Sequence, residues 1–123
     1  MCKILMSINP EHVENILAGK KTYEYRKIKC NRKVDSIIIY STYPVMKVVA
    51  EVEVKELICD TPKNLWKKTR SGSGIKKSFF DKYYIDKKVA YAFSLGKVNA
   101  FKKSLDLSDF SVKYAPQSFI YIN

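Results

Sequence analysis

The spacing of apolar and polar positions changes period several times along the chain, and each change marks an element. Residues 3–8, "KILMSI", form a short apolar run typical of a buried strand. Asn9 then suits a helix N-cap and Pro10 the first helical position, where its missing N–H costs nothing. Val13, Ile16 and Leu17 recur at helical spacing and Gly19 suits the position just past the end, which predicts a helix over 10–18. "KKTYEYRK" alternates like a strand over 21–27, with Thr22, Glu24 and Arg26 on one face and Tyr23 and Tyr25 on the other. "KCNRK" reads as a polar connection and "VDSIIIYS" as a buried β-branched strand. "TYPVM" is a turn or bulge, because Pro44 cannot donate to a ladder. In "KVVAEVEVKEL", Val48, Ala50, Val52 and Val54 alternate with Glu51, Glu53 and Lys55, and Val49 breaks the pattern.

Thr61-Pro62 repeats the cap-and-proline device and opens a second helix carrying Leu65 and Trp66, which "RSGSG" ends. Ile75 to Tyr84 is expected to be a further helix with Phe79, Phe80, Tyr83 and Tyr84 on its apolar side. "KVAYAFSL" is a strand, "KVNAF" continues or pairs with it, "LSDF" is a turn and "SFIYI" a last strand. The sum is five to seven strands with two or three short helices between them. That pattern predicts an α+β, mainly β chain, folded as one domain over 1–123 into a small closed or half-closed barrel, since closure removes exposed edges.

Composition narrows the function. A chain of 123 residues with 46% hydrophobic and 28% charged positions is globular. It has no apolar run near the roughly 20 residues of a membrane helix and no secretory leader pattern, so a cytoplasmic protein without a membrane partner is expected. Cys2, Cys30 and Cys59 are scattered, and His12 is the only histidine. That inventory predicts reduced thiols, no metal site and no cofactor. The net charge of +11 points to a polyanionic partner, nucleic acid first, with a merely basic soluble surface as the alternative.

The densest chemistry lies in "GKKTYEYRK". Gly19 allows the left-handed turn that reverses the chain, and Lys20 and Lys21 suit the negative end of the preceding helix. Glu24 and Arg26 share a strand face, where Arg offers a planar fork to a phosphate or a base edge and Glu accepts from an exocyclic amine. The competing readings are a plain Glu24–Arg26 surface pair and a solvated Lys21. Tyr40 and Tyr43, with Ser41 between them, are candidates for stacking a splayed base, or are ordinary barrel aromatics. Gln117, with Ser118, either reaches the same cleft or caps the last strand. "RSGSG" lacks the spacing of a phosphate loop and reads as a flexible loop with basic neighbours Lys67, Lys68, Arg70, Lys76 and Lys77.

Gly19, Lys21, Glu24 and Arg26 spell G-x-K-x-x-E-x-R just after a short amphipathic helix. In that setting, with "VDSIIIYSTYPVMKVVAEVEV" and "PQSFIYI" downstream, the chain resembles the ASCH domain of the PUA-like superfamily. The resemblance implies a β-barrel with a cleft beside the helix–strand junction. It also implies binding of RNA or other single-stranded nucleic acid, with a role in transcription- or translation-linked regulation, by a monomer or weak dimer. One branch of the family resembles an amidohydrolase of acetylated cytidine, with a Thr nucleophile beside the motif Lys. Here that position is Glu24, and Thr22 would need a different geometry. Relatives also suggest RNA cleavage, in which Lys21 and Glu24 would act as acid and base, Arg26 would hold the phosphate, and His12 is a further participant to consider. A binding module is the leading expectation and a small enzyme on RNA or nucleosides the alternative.

Overall fold

A computed structural model of the chain describes residues 1–122. The elements run β1 (Lys3–Ile8), α1 (Pro10–Leu17), β2 (Tyr23–Arg26), β3 (Ser36–Ser41), β4 (Lys47–Asp60), α2 (Pro62–Thr69), α3 (Lys77–Tyr83), β5 (Ala90–Leu105) and β6 (Phe119–Ile122). Among the described residues, six strands form one sheet in the order β2-β5-β4-β3-β1-β6, which curls into a half-barrel. The β1–β3 pair is parallel and the other pairings are antiparallel. No helix among the described residues is long and apolar enough to cross a membrane.

The expected elements are present, with differences in extent and in one loop. "KVNAF" continues "KVAYAFSL": both fall in one strand, β5, which starts at Ala90, not Lys88, and pairs with β4 from Val48–Leu105 to Asp60–Ala90 through several register shifts. The strand expected over 21–27 spans only Tyr23–Arg26, and the helix expected over 75–84 spans Lys77–Tyr83. "RSGSG" is not a free loop. It forms a 3-10 turn at Arg70–Gly72 followed by a buried Ser73, packed against the residues that lead into β2.

Two layers of side chains explain the unbroken apolar runs. Ile4, Met6, Ile8, Ile37 and Ile39 pack with α1 residues Val13 and Ile16 on one face. Leu5, Ile38, Tyr40 and Val48 pack on the other, against Phe101, Leu105, Phe110 and Ile120. Strands covered on both faces carry no polar alternation. Val49, the break in the β4 pattern, is where the register shifts: Ile39 pairs with Ala50, and Tyr40 with Val48. One extra residue in a strand turns the side chains beyond it to the other face. Val48 therefore joins the second layer while Ala50 and Val52 stay in the first. A third cluster of Leu65, Phe80, Tyr84, Ala90, Ala92 and Tyr25 lies under α2 and α3. It docks both helices beside β2.

Candidate functional site

The end of α1 sets the first coordinate of the site. Gly19 adopts φ +77°, its N–H donates to Ile16 O at 3.1 Å, and Lys20 N–H donates to Asn15 O at 2.9 Å. This is the double bond of a Schellman cap, which needs a left-handed residue where the glycine stands. Lys21 N–H also reaches Asn15 O, at 3.1 Å. The helix end thus fixes the backbone of Lys21 before β2 begins. The segment after α2 fixes its side chain. Lys21 Nζ donates to Ser73 O at 2.8 Å and lies 4.9 Å from the centre of the Tyr25 ring. Lys21 is 3% exposed, so the solvated reading does not apply.

β2 is held from both sides. It pairs with β5 along one edge, and the hydroxyls of Tyr83 and Tyr84 donate to its carbonyls at Tyr25 (3.3 Å) and Arg26 (3.0 Å). Tyr25's hydroxyl donates to Thr69 Oγ1 at 2.7 Å, since that oxygen already donates its own proton to Leu65 O. Arg26 Nη2 donates to Glu24 Oε2 at 2.8 Å and to Ser7 O at 3.0 Å, while Nη1 reaches Ser118 Oγ at 3.3 Å. β2 is one edge of the sheet, and Ser118 immediately precedes β6, the other edge. The Arg26 fork therefore bridges the two edges of the half-barrel. The expected Glu24–Arg26 pair is present, but it is not an exposed surface pair: Glu24 is 5% exposed, and the pair is shielded from water.

These groups form the floor of a cleft of about 190 Å³, with Ser7, Asn9 and His12 on one side and Ile75, Phe79 and Tyr83 on the other. The space exceeds the roughly 150 Å³ cavity known to admit a benzene ring. Lys21 Nζ lies 3.9 Å from Glu24 Oε1, so two cations flank one carboxylate. Glu24 Oε1, Arg26 Nε and His12 Nδ1 are buried with no hydrogen-bond partner among the described residues. Burial pushes the Lys21 ammonium's pKa below its ordinary range, opposed by the nearby Glu24 charge. Burial also lowers the His12 pKa, with the Lys21 charge as the next cause. It raises those of the Tyr25 phenol, to about 12, and the Tyr83 phenol. No three His, Cys, Asp or Glu side chains converge on a possible metal position among the described residues.

Of the residues singled out in the sequence, Lys21, Glu24 and Arg26 meet in this cleft, and His12 joins them. Gly19 shapes the approach without lining it, and Lys20 is exposed at the helix end. Tyr40 and Ser41 are buried, Tyr40 in the second core layer with Ile38, two positions earlier on the same face of β3. Tyr43 is 80% exposed on the loop after β3 and Gln117 is exposed, and neither lines the cleft. Ser118, its neighbour, is the residue that reaches Arg26. Thr22 lies within 3.4 Å of Gly72 O, outside the cleft lining. Ser7, Asn9, Ile75, Phe79 and Tyr83 went unpredicted as site residues. The available signal was charge: residues 62–88, which supply the aromatic wall, hold nine Lys and Arg against two Asp.

His12 offers a direct probe of this environment, as the chain's only histidine. Its imidazole should titrate below 6.5 by NMR, and Lys21→Met should move the midpoint upward by removing a nearby positive charge. A depressed folded value means that the unfolded chain takes up this proton first as pH falls. His12's contribution to stability is then whole above pH 6.5 and is lost as pH drops through the folded midpoint. A midpoint at or above 6.5 contradicts the burial.

The comparisons agree with this geometry. The chain is 29% identical over 121 residues, 97% of its length, to an ATP synthase subunit alpha of Ureaplasma parvum. It is 27% identical over 120 residues, again 97% of its length, to the large ribosomal subunit protein uL22 of the same species. It spans 15% and 39% of those two relatives' lengths. The crystal structure of ASCH from Zymomonas mobilis superposes with a TM-score of 0.89 at 22% identity, covering 98% of this chain and 87% of that one. At that identity the likeness establishes the fold, a PUA-like half-barrel. The ASCH domain family matches residues 6–102, and with that match across most of its length the chain belongs to the ASCH domain family.

Proposed function

We propose that the chain is a single-stranded nucleic-acid-binding module, RNA first, whose cleft receives one base, in a role tied to transcription or translation. One observation carries this reading. The cleft sets aromatic side chains, Phe79 and Tyr83, opposite a polar floor whose Glu24 Oε1 and Arg26 Nε lack partners among the described residues. A splayed base presents that combination, a π-face for stacking and an edge of donors and acceptors. Glu24 accepts from an amine or ring N–H, and Arg26 donates to a carbonyl or ring nitrogen. The excess of seven positive charges over residues 62–88 lies on the segment that walls the cleft, where it attracts a phosphate backbone. The two Ureaplasma relatives bear names with no shared activity. That supports a portable module more than either named function.

The test is a titration of short single-stranded RNAs at several salt concentrations. Log affinity should fall linearly with log salt, by about 0.7 per phosphate contacted. Phe79→Ala should weaken binding about 5- to 150-fold, the value of one base–aromatic stack. Phe79 is half exposed, and the fold should survive its loss. Affinity indifferent to both salt and Phe79 would refute the reading.

One observation favours a second reading, an enzyme on RNA or nucleosides. Lys21, held near Glu24 with its pKa lowered by burial, is suited to proton transfer. Incubation with RNA and with acetylated cytidine, followed by chromatography for cleaved or deacetylated product, decides between the two.

A further inference from the structure

Beside the cleft lies a second groove of about 550 Å³. The two share Asn9, His12, Ile75 and Phe79, so they form one continuous depression divided by the edge-on pair of His12 and Phe79, whose rings are 5.8 Å apart. Beyond that divide the groove is lined by Lys76 and Ser78 on one bank and Glu11 on the other. Lys76 has no ion-pair partner among the described residues, whereas its neighbour Lys77 is tied to Asp81 at 2.8 Å. The groove thus joins an aromatic ring shared with the cleft, an uncommitted cation and a hydroxyl.

Resting on the nucleic-acid reading of the cleft, we propose that this groove seats the adjoining nucleotide of a single-stranded chain whose base enters the cleft. Lys76 meets the connecting phosphate, and the adjoining base packs on the outer side of Phe79. Glu11 repels the phosphate from the opposite bank and so favours the Lys76 side. Ser78 is within the same bank to donate a hydrogen bond. The ligand class is set by this layout: a site with two adjoining positions and a cation beside them selects at least a dinucleotide over a free base or nucleoside. Charge complementarity supports this occupant, since the bank carrying Lys76 belongs to the 62–88 segment, which has nine Lys and Arg against two Asp.

Calorimetric titration of the intact chain with the four nucleosides and the sixteen dinucleoside monophosphates tests the proposal. The best dinucleoside monophosphate should bind at least about fivefold tighter than its better nucleoside, the lower value of one added stack. Lys76→Gln should remove about two- to fivefold of that advantage, as expected for an exposed charge pair, and leave nucleoside affinity as it was. Equal affinity for nucleosides and dinucleoside monophosphates overturns the groove while the base cleft stands. An undiminished dinucleotide advantage in Lys76→Gln likewise overturns it. Binding of neither class of ligand overturns the cleft reading and the groove with it.

Discussion

Glu24→Gln is expected to destabilise the folded chain by about 3–5 kcal/mol, the usual cost of removing one partner from a buried ionic group. Glu24 is the single anion between Lys21 Nζ at 3.9 Å and Arg26 Nη2 at 2.8 Å, and all three side chains are largely withdrawn from water. Without its charge, two cations face each other in a low-dielectric cleft. Arg26→Met should cost less, because Lys21 remains to balance the carboxylate. This ordering separates the buried cluster from a surface pair, where neither change would exceed about 1 kcal/mol. The pH dependence has a definite sign. The Lys21 pKa is lowered in the fold from its ordinary 10.5, and Glu24 is a cause opposing that shift. In Glu24→Gln the amine gives up its proton at still lower pH, so the stability gap to the wild type should narrow as pH rises towards 10.5. Urea melts of the three proteins at pH 7 and pH 9.5 measure both effects. Equal midpoints for Glu24→Gln and wild type at pH 7 would mean that water reaches these charges freely.

Gly74→Ala should unfold the support of Lys21, at about 2–5 kcal/mol. Two costs combine: a left-handed backbone for a residue with a Cβ, about 1–2 kcal/mol, and overpacking, about 1–3 kcal/mol. Gly74 has φ +67°, and a Cβ there would stand 2.5 Å from Lys21 Cβ and 3.1 Å from Lys21 Cα. Backbone cannot yield as a flexible side-chain tip would. Gly19→Ala serves as the control. It shares the positive φ of +77° but would meet nothing within 4 Å, so it should show the backbone cost alone. Thermal melts should rank the wild type above Gly19→Ala and Gly19→Ala above Gly74→Ala. Equal melting of the two variants would show that the turn yields to the added methyl group.

How much was legible beforehand differs between elements for physical reasons. Both helix starts, at Asn9-Pro10 and Thr61-Pro62, and the Gly19 stop were readable because a cap is satisfied by residues within a few positions of one another. Strands β1, β3 and β4 were readable because burial on one or both faces writes itself into the apolar pattern. Strand alternation would set Lys21 on the face opposite Glu24, yet the two meet at 3.9 Å. Lys21 precedes β2 and takes its position from the α1 cap and from Ser73, so the pleat does not govern it.

The sequence by itself determined the elements, their order, the basic character of the 62–88 segment and the motif that converges on Lys21, Glu24 and Arg26. These arise from short-range spacing and from which residue types water rejects. Only the tertiary structure decided that Arg26 joins two sheet edges through Ser7 and Ser118, the latter 92 positions away. It likewise decided that Phe79 and Tyr83 of α3 wall the cleft, that Tyr40 turns into the core, and that Ser73 covers Lys21. Each depends on how the sheet curls. That is a balance of packing among residues far apart in the chain, and no local spacing records it.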